Sequence, residues 1–214
     1  VYVNQRTPYP KKRVRHMTDI KAPDRAYRHV VALTIALFLS YLTVAMSLPA
    51  VPVHVVHGLG LDNAWGGLAV GIAFLSTILT RGHAGSWSDR VGGKLCMQRG
   101  LLIYVAAGSI CLLAAWPQLS VTGSYAVLIA GRLLLGLGES VAMVGMINWA
   151  IGLMGQARTG RVMSLVGMGM YGAFAAGGPL GLMLLERVGF AGLMVACTAL
   201  PLIGLIAIHM LPAV

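Results

Sequence analysis

The stretch that decides the fold is VVALTIALFLSYLTVAMSLPAVPV, residues 30–53, which contains no charged side chain over 24 residues. An α-helix needs about 20 apolar residues to cross the hydrocarbon core of a bilayer. A run of this length without Asp, Glu, Lys or Arg therefore predicts a transmembrane helix.

Five further apolar segments follow along the chain. The uncharged run at 100–131 is too long for one crossing, and Pro117 breaks it because proline lacks a backbone N–H and disfavours helix in the residue before it. The six predicted spans are 30–53, 64–80, 100–116, 124–153, 162–185 and 188–208. The fourth span is unusual because it contains Arg132 and Glu139.

The composition supports the same fold class. The chain is 57% hydrophobic and 10% charged, with a mean hydropathy of +0.80. Soluble domains are about 25% charged, and a water-soluble chain of this size cannot bury so much apolar surface. We therefore expect an all-α membrane protein, a polytopic bundle of six transmembrane helices.

The basic residues are distributed unevenly. Eight of the 16 Lys and Arg residues precede His29, in a tail that contains the run KKRVR at 11–15. Basic residues also occupy the predicted loops at 81–99 and 158–161, whereas the opposite loops contain only Arg187. This positive-inside pattern predicts that both termini are cytoplasmic, and it argues against a nucleic-acid partner.

We divide the chain into a basic tail, 1–28, and a membrane domain, 29–214; residues 1–16 need not be the native start.

Two blocks of sequence repeat. RGHAG at 81–85 is followed by DRVG at 89–92, and GGPLG at 177–181 is followed by ERVG at 186–189. The first copy leaves the second span on the cytoplasmic side, and the second copy leaves the fifth span on the outer side. Two three-helix units of opposite topology form a 3+3 inverted repeat, the construction of many secondary transporters.

The decapeptide GSWSDRVGGK at 85–94 resembles the signature between spans two and three of the major facilitator superfamily. The residues from Gly131 to Ser140 are similar to a second signature of that family, including its membrane-embedded arginine. The pair Gly178-Pro179 resembles the core of a motif common among exporters. Residues 29–214 look most like a poorly characterised bacterial subgroup, sometimes labelled sugar-efflux-like.

This resemblance implies a secondary transporter of the bacterial inner membrane that moves a small solute by proton-coupled efflux, without a cofactor. A complete family member has two six-helix halves. The chain resembles the N-terminal half, and we expect a fragment that lacks the C-terminal half; assembly with a second copy is the alternative.

Arg132 and Glu139 are the leading candidates for function. Seven residues apart, they lie about 20° apart around a helix and roughly 10 Å apart along it, so they share one face. Because charge facing lipid costs several kcal/mol, both should face a water-filled cavity. Glu139 is the proposed proton-coupling carboxylate, and Arg132 would hold an anionic substrate group or act as its counter-cation; the alternative is a purely structural lock between helices. Tyr41, Asn148 and Tyr171 would add hydrogen bonds to the cavity or serve only in packing.

Two further groups are expected to be functional or structural. By resemblance, one group forms a gating loop that engages the other half of the transporter, unless it only sets topology: Gly85, Asp89, Arg90, Gly92 and Lys94. The other is a stripe of helix-packing residues in span five: Gly169, Ala173, Gly177, Gly178, Pro179 and Gly181.

Other classes of function fit the sequence poorly. Ser140 and His209 suggest a membrane serine protease, but they fall at different depths, so the serine lacks a base within reach. The spacing of His54, His57 and His83 does not suit a metal site, and the cysteines form no Cys-x-x-Cys pair. We therefore expect no enzyme and no metal, and a non-transporting scaffold remains the main alternative to a transporter.

Overall fold

The computed structural model describes residues 24–212, so the basic run at 11–15 lies outside the described residues. Within that range the chain is built from helices without β-strands, and five helices are long and apolar enough to cross a membrane. They are α1 Asp24–Val53, α2 Asn63–Val91, α3 Gly93–Leu113, α4 Val121–Met154 and α5 Thr159–His209. A π-turn, His54–Gly58, follows α1, and a short 3₁₀ helix, Gln156–Arg158, precedes α5. The prediction of an all-α membrane protein is confirmed.

The prediction that residues 81–99 form a loop is wrong. Helix α2 continues beyond Thr80 to Val91, and α3 begins two residues later, so Gly92 alone separates them. Gly92 has φ +86°, a conformation that residues with a side chain rarely adopt. The prediction failed because charge marks where a helix leaves the hydrocarbon and does not mark where the helix ends.

Helix α5 contains 51 residues, and a straight helix of that length would extend about 77 Å, more than twice the roughly 30 Å hydrocarbon core. Its backbone is not helical at Gly189, where φ is +70°. The residues before and after Gly189 pack on α1 in opposite directions. The contacts with α1 are Thr34 with Gly169, Met46 with Gly181, Thr43 with Cys197, and Ala36 with Gly204. The chain therefore reverses its direction at Gly189.

Helices α3 and α4 touch along a line of glycines spaced by seven residues. A Cβ atom added to Gly100 would lie 2.3 Å from the backbone nitrogen of Ala142, and one added to Gly145 would lie 2.3 Å from that of Met97. Real Cβ contacts are never so short, so these positions admit only hydrogen. The lack of side chains lets the two helix backbones meet directly.

The small-residue stripe of α5 faces α1. Gly169, Ala173, Gly177 and Gly181 are buried there, and a Cβ atom on Gly181 would lie 2.2 Å from the carbonyl oxygen of Met46. Gly178 and Pro179 are not part of this contact: nothing lies within 4 Å of a Cβ atom on Gly178, and Pro179 is exposed. Successive residues rotate by about 100° around a helix, which turns both away from α1.

Candidate functional site

The charged face of α4 lies inside the bundle. Because α4 presents Gly138 to α3, the next residue, Glu139, is rotated by about 100° and points toward α1 and α2. Gly131 also faces α3, so the next residue, Arg132, is rotated away from α3 by the same angle. Arg132 is 1% exposed and Glu139 is 7% exposed, so neither charge meets lipid.

Arg132 ties α4 to two neighbouring helices. Its Nε donates to the carbonyl oxygen of Ala69 in α2 at 3.0 Å, and its Nη1 donates to the Ser47 hydroxyl in α1 at 2.7 Å. The Ser47 hydroxyl in turn donates to the carbonyl oxygen of Val44 at 2.9 Å. This bonding makes the guanidinium a bridge between helices.

Glu139 is bonded to the same two helices. Its Oε1 accepts a hydrogen bond from the Tyr41 hydroxyl of α1 at 3.2 Å, and its Oε2 accepts one from the Thr77 hydroxyl of α2 at 3.2 Å. Arg132 and Glu139 therefore form two separate polar layers along one face of α4, each with its own partners.

The hydroxyl groups around Glu139 have alternative acceptors. Tyr41 can donate instead to Met143 Sδ, at 3.1 Å, and Thr77 can donate to the carbonyl oxygens of Ala73 and Gly136, both at 3.1 Å. A hydroxyl that turns to another acceptor leaves its oxygen free to accept a hydrogen bond from a protonated, neutral carboxyl group. The carboxyl group of Glu139 can thus keep its hydrogen bonds whether or not it carries a proton.

A third residue connects this layer to the surface. Arg81, exposed on α2, donates from Nη2 to Met143 Sδ at 3.4 Å, and the Tyr41 hydroxyl that bonds to Glu139 can donate to the same sulfur. The sequence placed Arg81 in a repeat and in a predicted basic loop, and did not link it to Glu139. Its spacing of four residues from Thr77 places both on one helix face and is the signal that could have linked them.

The three hydrogen-bonding residues predicted with Arg132 and Glu139 separate in the structure. Tyr41 joins Glu139. Asn148 lies nearer the end of α4 and donates from Nδ2 to the Ser88 hydroxyl at 2.9 Å. Tyr171 is 68% exposed on α5.

The residues predicted to gate lie at the helix ends around Gly92. Asp89 and Arg90 are exposed, and Asp89 Oδ1 accepts a hydrogen bond from Asn148 at 3.4 Å. Asp89 and Asn148 line an open groove of about 450 Å³ between the ends of α2 and α4. A Cβ atom added to Gly85 would have no neighbouring atom within 4 Å.

Lys94 is engaged within this chain. Its ammonium donates to the carbonyl oxygen of Leu211 and lies 5.8 Å from the ring centre of Trp149. Trp149 Nε1 donates to the carbonyl oxygen of Pro212 at 3.0 Å. Lys94 and Trp149 together hold the residues that follow α5 against α3 and α4.

No group of three His, Cys, Asp or Glu side chains suited to a metal ion occurs among residues 24–212. His54 stacks on Phe190 with a ring separation of 3.7 Å, and the three cysteines are buried as free thiols.

Comparison with known proteins identifies related sequences. Residues 33–213 match the family model described as Major Facilitator Superfamily. An uncharacterized MFS-type transporter of Salmonella typhimurium is 38% identical over 177 residues, covering 83% of this chain and 46% of that protein. The uncharacterized MFS-type transporter YhhS of Escherichia coli is 33% identical over 184 residues, covering 83% of this chain and 44% of YhhS. The chain spans less than half the length of these curated relatives.

Proposed function

This chain belongs to the major facilitator superfamily, and on that premise we propose that it is one six-helix half of a secondary transporter that exports a small solute in exchange for protons. Its family and its long apolar helices make it a multi-pass membrane protein. The observation that carries the proposal is a buried carboxyl group, Glu139, whose hydroxyl partners can accommodate it charged or neutral.

The proposal of six membrane crossings depends on the reversal of chain direction within α5, at Gly189. If the parts before and after Gly189 each cross the membrane, α1 to α5 provide six spans of alternating direction, as a 3+3 inverted repeat requires. The basic residues at 81–99 and 158–161 then lie on one side, which supports cytoplasmic termini in a bacterial inner membrane.

Sided labelling of introduced cysteines tests this topology. We expect an impermeant maleimide to label Gln156→Cys and Met210→Cys from the cytoplasmic side and Arg187→Cys from the outer side, because all three positions are exposed at the predicted ends of spans. The native cysteines are replaced by alanine in the background. Labelling of positions 187 and 210 from the same side would refute six crossings.

In this proposal Arg132 and Glu139 have different roles. Glu139 binds the coupling proton and releases it once per transport cycle. Arg132 serves as a buried counter-cation and helix bridge, because its guanidinium is fully enclosed and already bonded to Ala69 and Ser47. An anionic substrate group has less access to Arg132 than to the more open surroundings of Arg81 and Met143.

The second half of the transporter is the proposed partner. Asp89 and Arg90 are exposed at the end of α2, beside the open groove at Asn148, and are free to engage charges and helix termini on another six-helix unit. That unit is a C-terminal half or a second copy of this chain. Lys94 does not take part in this contact in our proposal, because its ammonium donates to the carbonyl oxygen of Leu211.

A non-transporting membrane scaffold is the second candidate. It is favoured by one observation: the chain covers less than half of its relatives, and in a transporter of two halves one half forms only one wall of the solute pathway. The bridge that Arg132 makes between α1, α2 and α4 would then be structural alone.

Transport in proteoliposomes distinguishes the two candidates. The purified chain is reconstituted, and a pH gradient is imposed with the vesicle interior acidic. A panel of labelled sugars and lipophilic cations is then screened. We expect uptake of at least one solute above that of protein-free vesicles, and we expect a proton uncoupler to remove it. Uptake that never exceeds the protein-free level across the panel, in a preparation that folds, inserts and contains a second six-helix unit, supports the scaffold.

A further inference from the structure

One donor of the buried guanidinium is left without a partner. Nη2 of Arg132 is buried, and no atom among residues 24–212 accepts a hydrogen bond from it. The other two nitrogens bond to a carbonyl and a hydroxyl, which are both neutral. The positive charge is therefore desolvated without a bonded anion.

A small cavity adjoins this guanidinium. It has a volume of about 10 Å³ and lies where four segments meet: α1, α3, α4 and the part of α5 after Gly189. Its polar lining includes Thr43, Ser47, Cys111 and Cys197. A cavity of about this volume has room for one water-sized particle.

The charge of the site favours an anion over water. A buried cation that lacks a bonded counter-ion is strongly unfavourable, and a neutral water molecule satisfies the N–H donors without compensating the charge. The carboxyl group of Glu139 does not supply that anion, because the hydrogen bonds that it accepts come from Tyr41 and Thr77.

The chemistry of the lining matches a monatomic anion. The unpartnered Nη2 supplies N–H donors, and the Cys111 thiol is a weak S–H donor. The hydroxyl protons of Ser47 and Thr43 are already committed to the carbonyl oxygens of Val44 and Cys197. Carboxylate and phosphate groups contain several heavy atoms, whereas a cavity with room for one water-sized particle suits a single atom.

We propose that Arg132 binds a chloride ion in this cavity and that the ion joins α1, α3, α4 and the part of α5 after Gly189 around the buried charge. The site is distinct from the Glu139 layer and requires no transport to be observed, so it is tested independently of proton coupling.

Thermal unfolding of the purified chain in detergent provides the first test. Sodium chloride is compared with sodium gluconate at equal ionic strength, since gluconate is too large for the cavity. We expect the unfolding temperature to rise with chloride and bromide concentration and not with gluconate, because an ion that binds only the folded state stabilises it by mass action. An equal response to chloride and gluconate overturns the proposal.

Variants assign the response to the site. Arg132→Gln should lower the apparent chloride affinity at least tenfold. Cys197→Leu keeps the guanidinium but fills the cavity, so it should have the same effect if the first variant fails to fold. Arg99→Gln removes an exposed cation that lies over Trp87, and it should leave the response intact. A halide response that survives in Cys197→Leu contradicts the assignment.

Crystals grown in bromide provide a direct view. The proposal requires an anomalous bromide peak within hydrogen-bonding distance of Arg132 Nη2. Ordered water there, with no anomalous peak, refutes it.

Discussion

We expect the replacement of Glu139 with glutamine to abolish the pH-driven accumulation of solute while leaving the protein folded. Glutamine has nearly the shape of a protonated glutamate, and it can keep the hydrogen bonds to Tyr41 and Thr77. It cannot take up or release a proton. Accumulation should therefore fall to the level of protein-free vesicles, while exchange of labelled for unlabelled solute, which needs no net proton movement, persists.

The matched control is Glu186→Gln. Glu186 is exposed on α5, far along the chain from Glu139. Its replacement with glutamine removes the same charge as Glu139→Gln. Coupled accumulation in Glu186→Gln should equal that of the unmodified protein. Coupled accumulation that persists in Glu139→Gln removes Glu139 from the mechanism, and loss of both accumulation and exchange would indicate a structural role.

The second large effect is expected on stability, at the glycine contact between α3 and α4. Gly100→Ala places a methyl group 2.3 Å from the backbone nitrogen of Ala142, so the two helices must move apart. Overpacking of this kind costs about 1–3 kcal/mol, and a contact with backbone has little freedom to relax. The thermal unfolding temperature in detergent should drop clearly.

Gly71→Ala is the control for this substitution. Nothing lies within 4 Å of a Cβ atom at Gly71, so alanine gains helix propensity, up to about 1 kcal/mol, without a clash. Its unfolding temperature should equal or exceed that of the unmodified protein. Similar unfolding temperatures for the two variants would mean that α3 and α4 do not touch at Gly100.

Part of this structure follows from sequence alone. The predicted uncharged runs overlap all five long apolar helices of residues 24–212, because length and lack of charge are the properties that a bilayer selects. The spacing of seven residues between Arg132 and Glu139 correctly placed both on one face of α4. Gly131, Gly138 and Gly145 have the same spacing, and this unused signal predicts the neighbouring face that meets α3.

The partners of the charged residues could not be predicted. Sequence placed Arg132 and Glu139 close enough to interact, but Ser47 and Tyr41 of α1 reach them from about 90 positions earlier in the chain. Which residues of one helix meet those of another depends on crossing angles and rotations that periodicity does not fix. For the same reason Asn148 was placed with the cavity, whereas it bonds to Ser88.

The central claim, that Glu139 exchanges a proton inside the membrane, is tested most directly by dicyclohexylcarbodiimide, an apolar reagent that modifies protonated carboxyl groups. Peptide mass spectrometry after treatment of vesicles should find the adduct at Glu139, increasing as the pH is lowered, while exposed Asp62, Asp89 and Glu186 remain unmodified. An adduct that is absent from Glu139, or whose yield does not change between acidic and alkaline pH, would contradict the account.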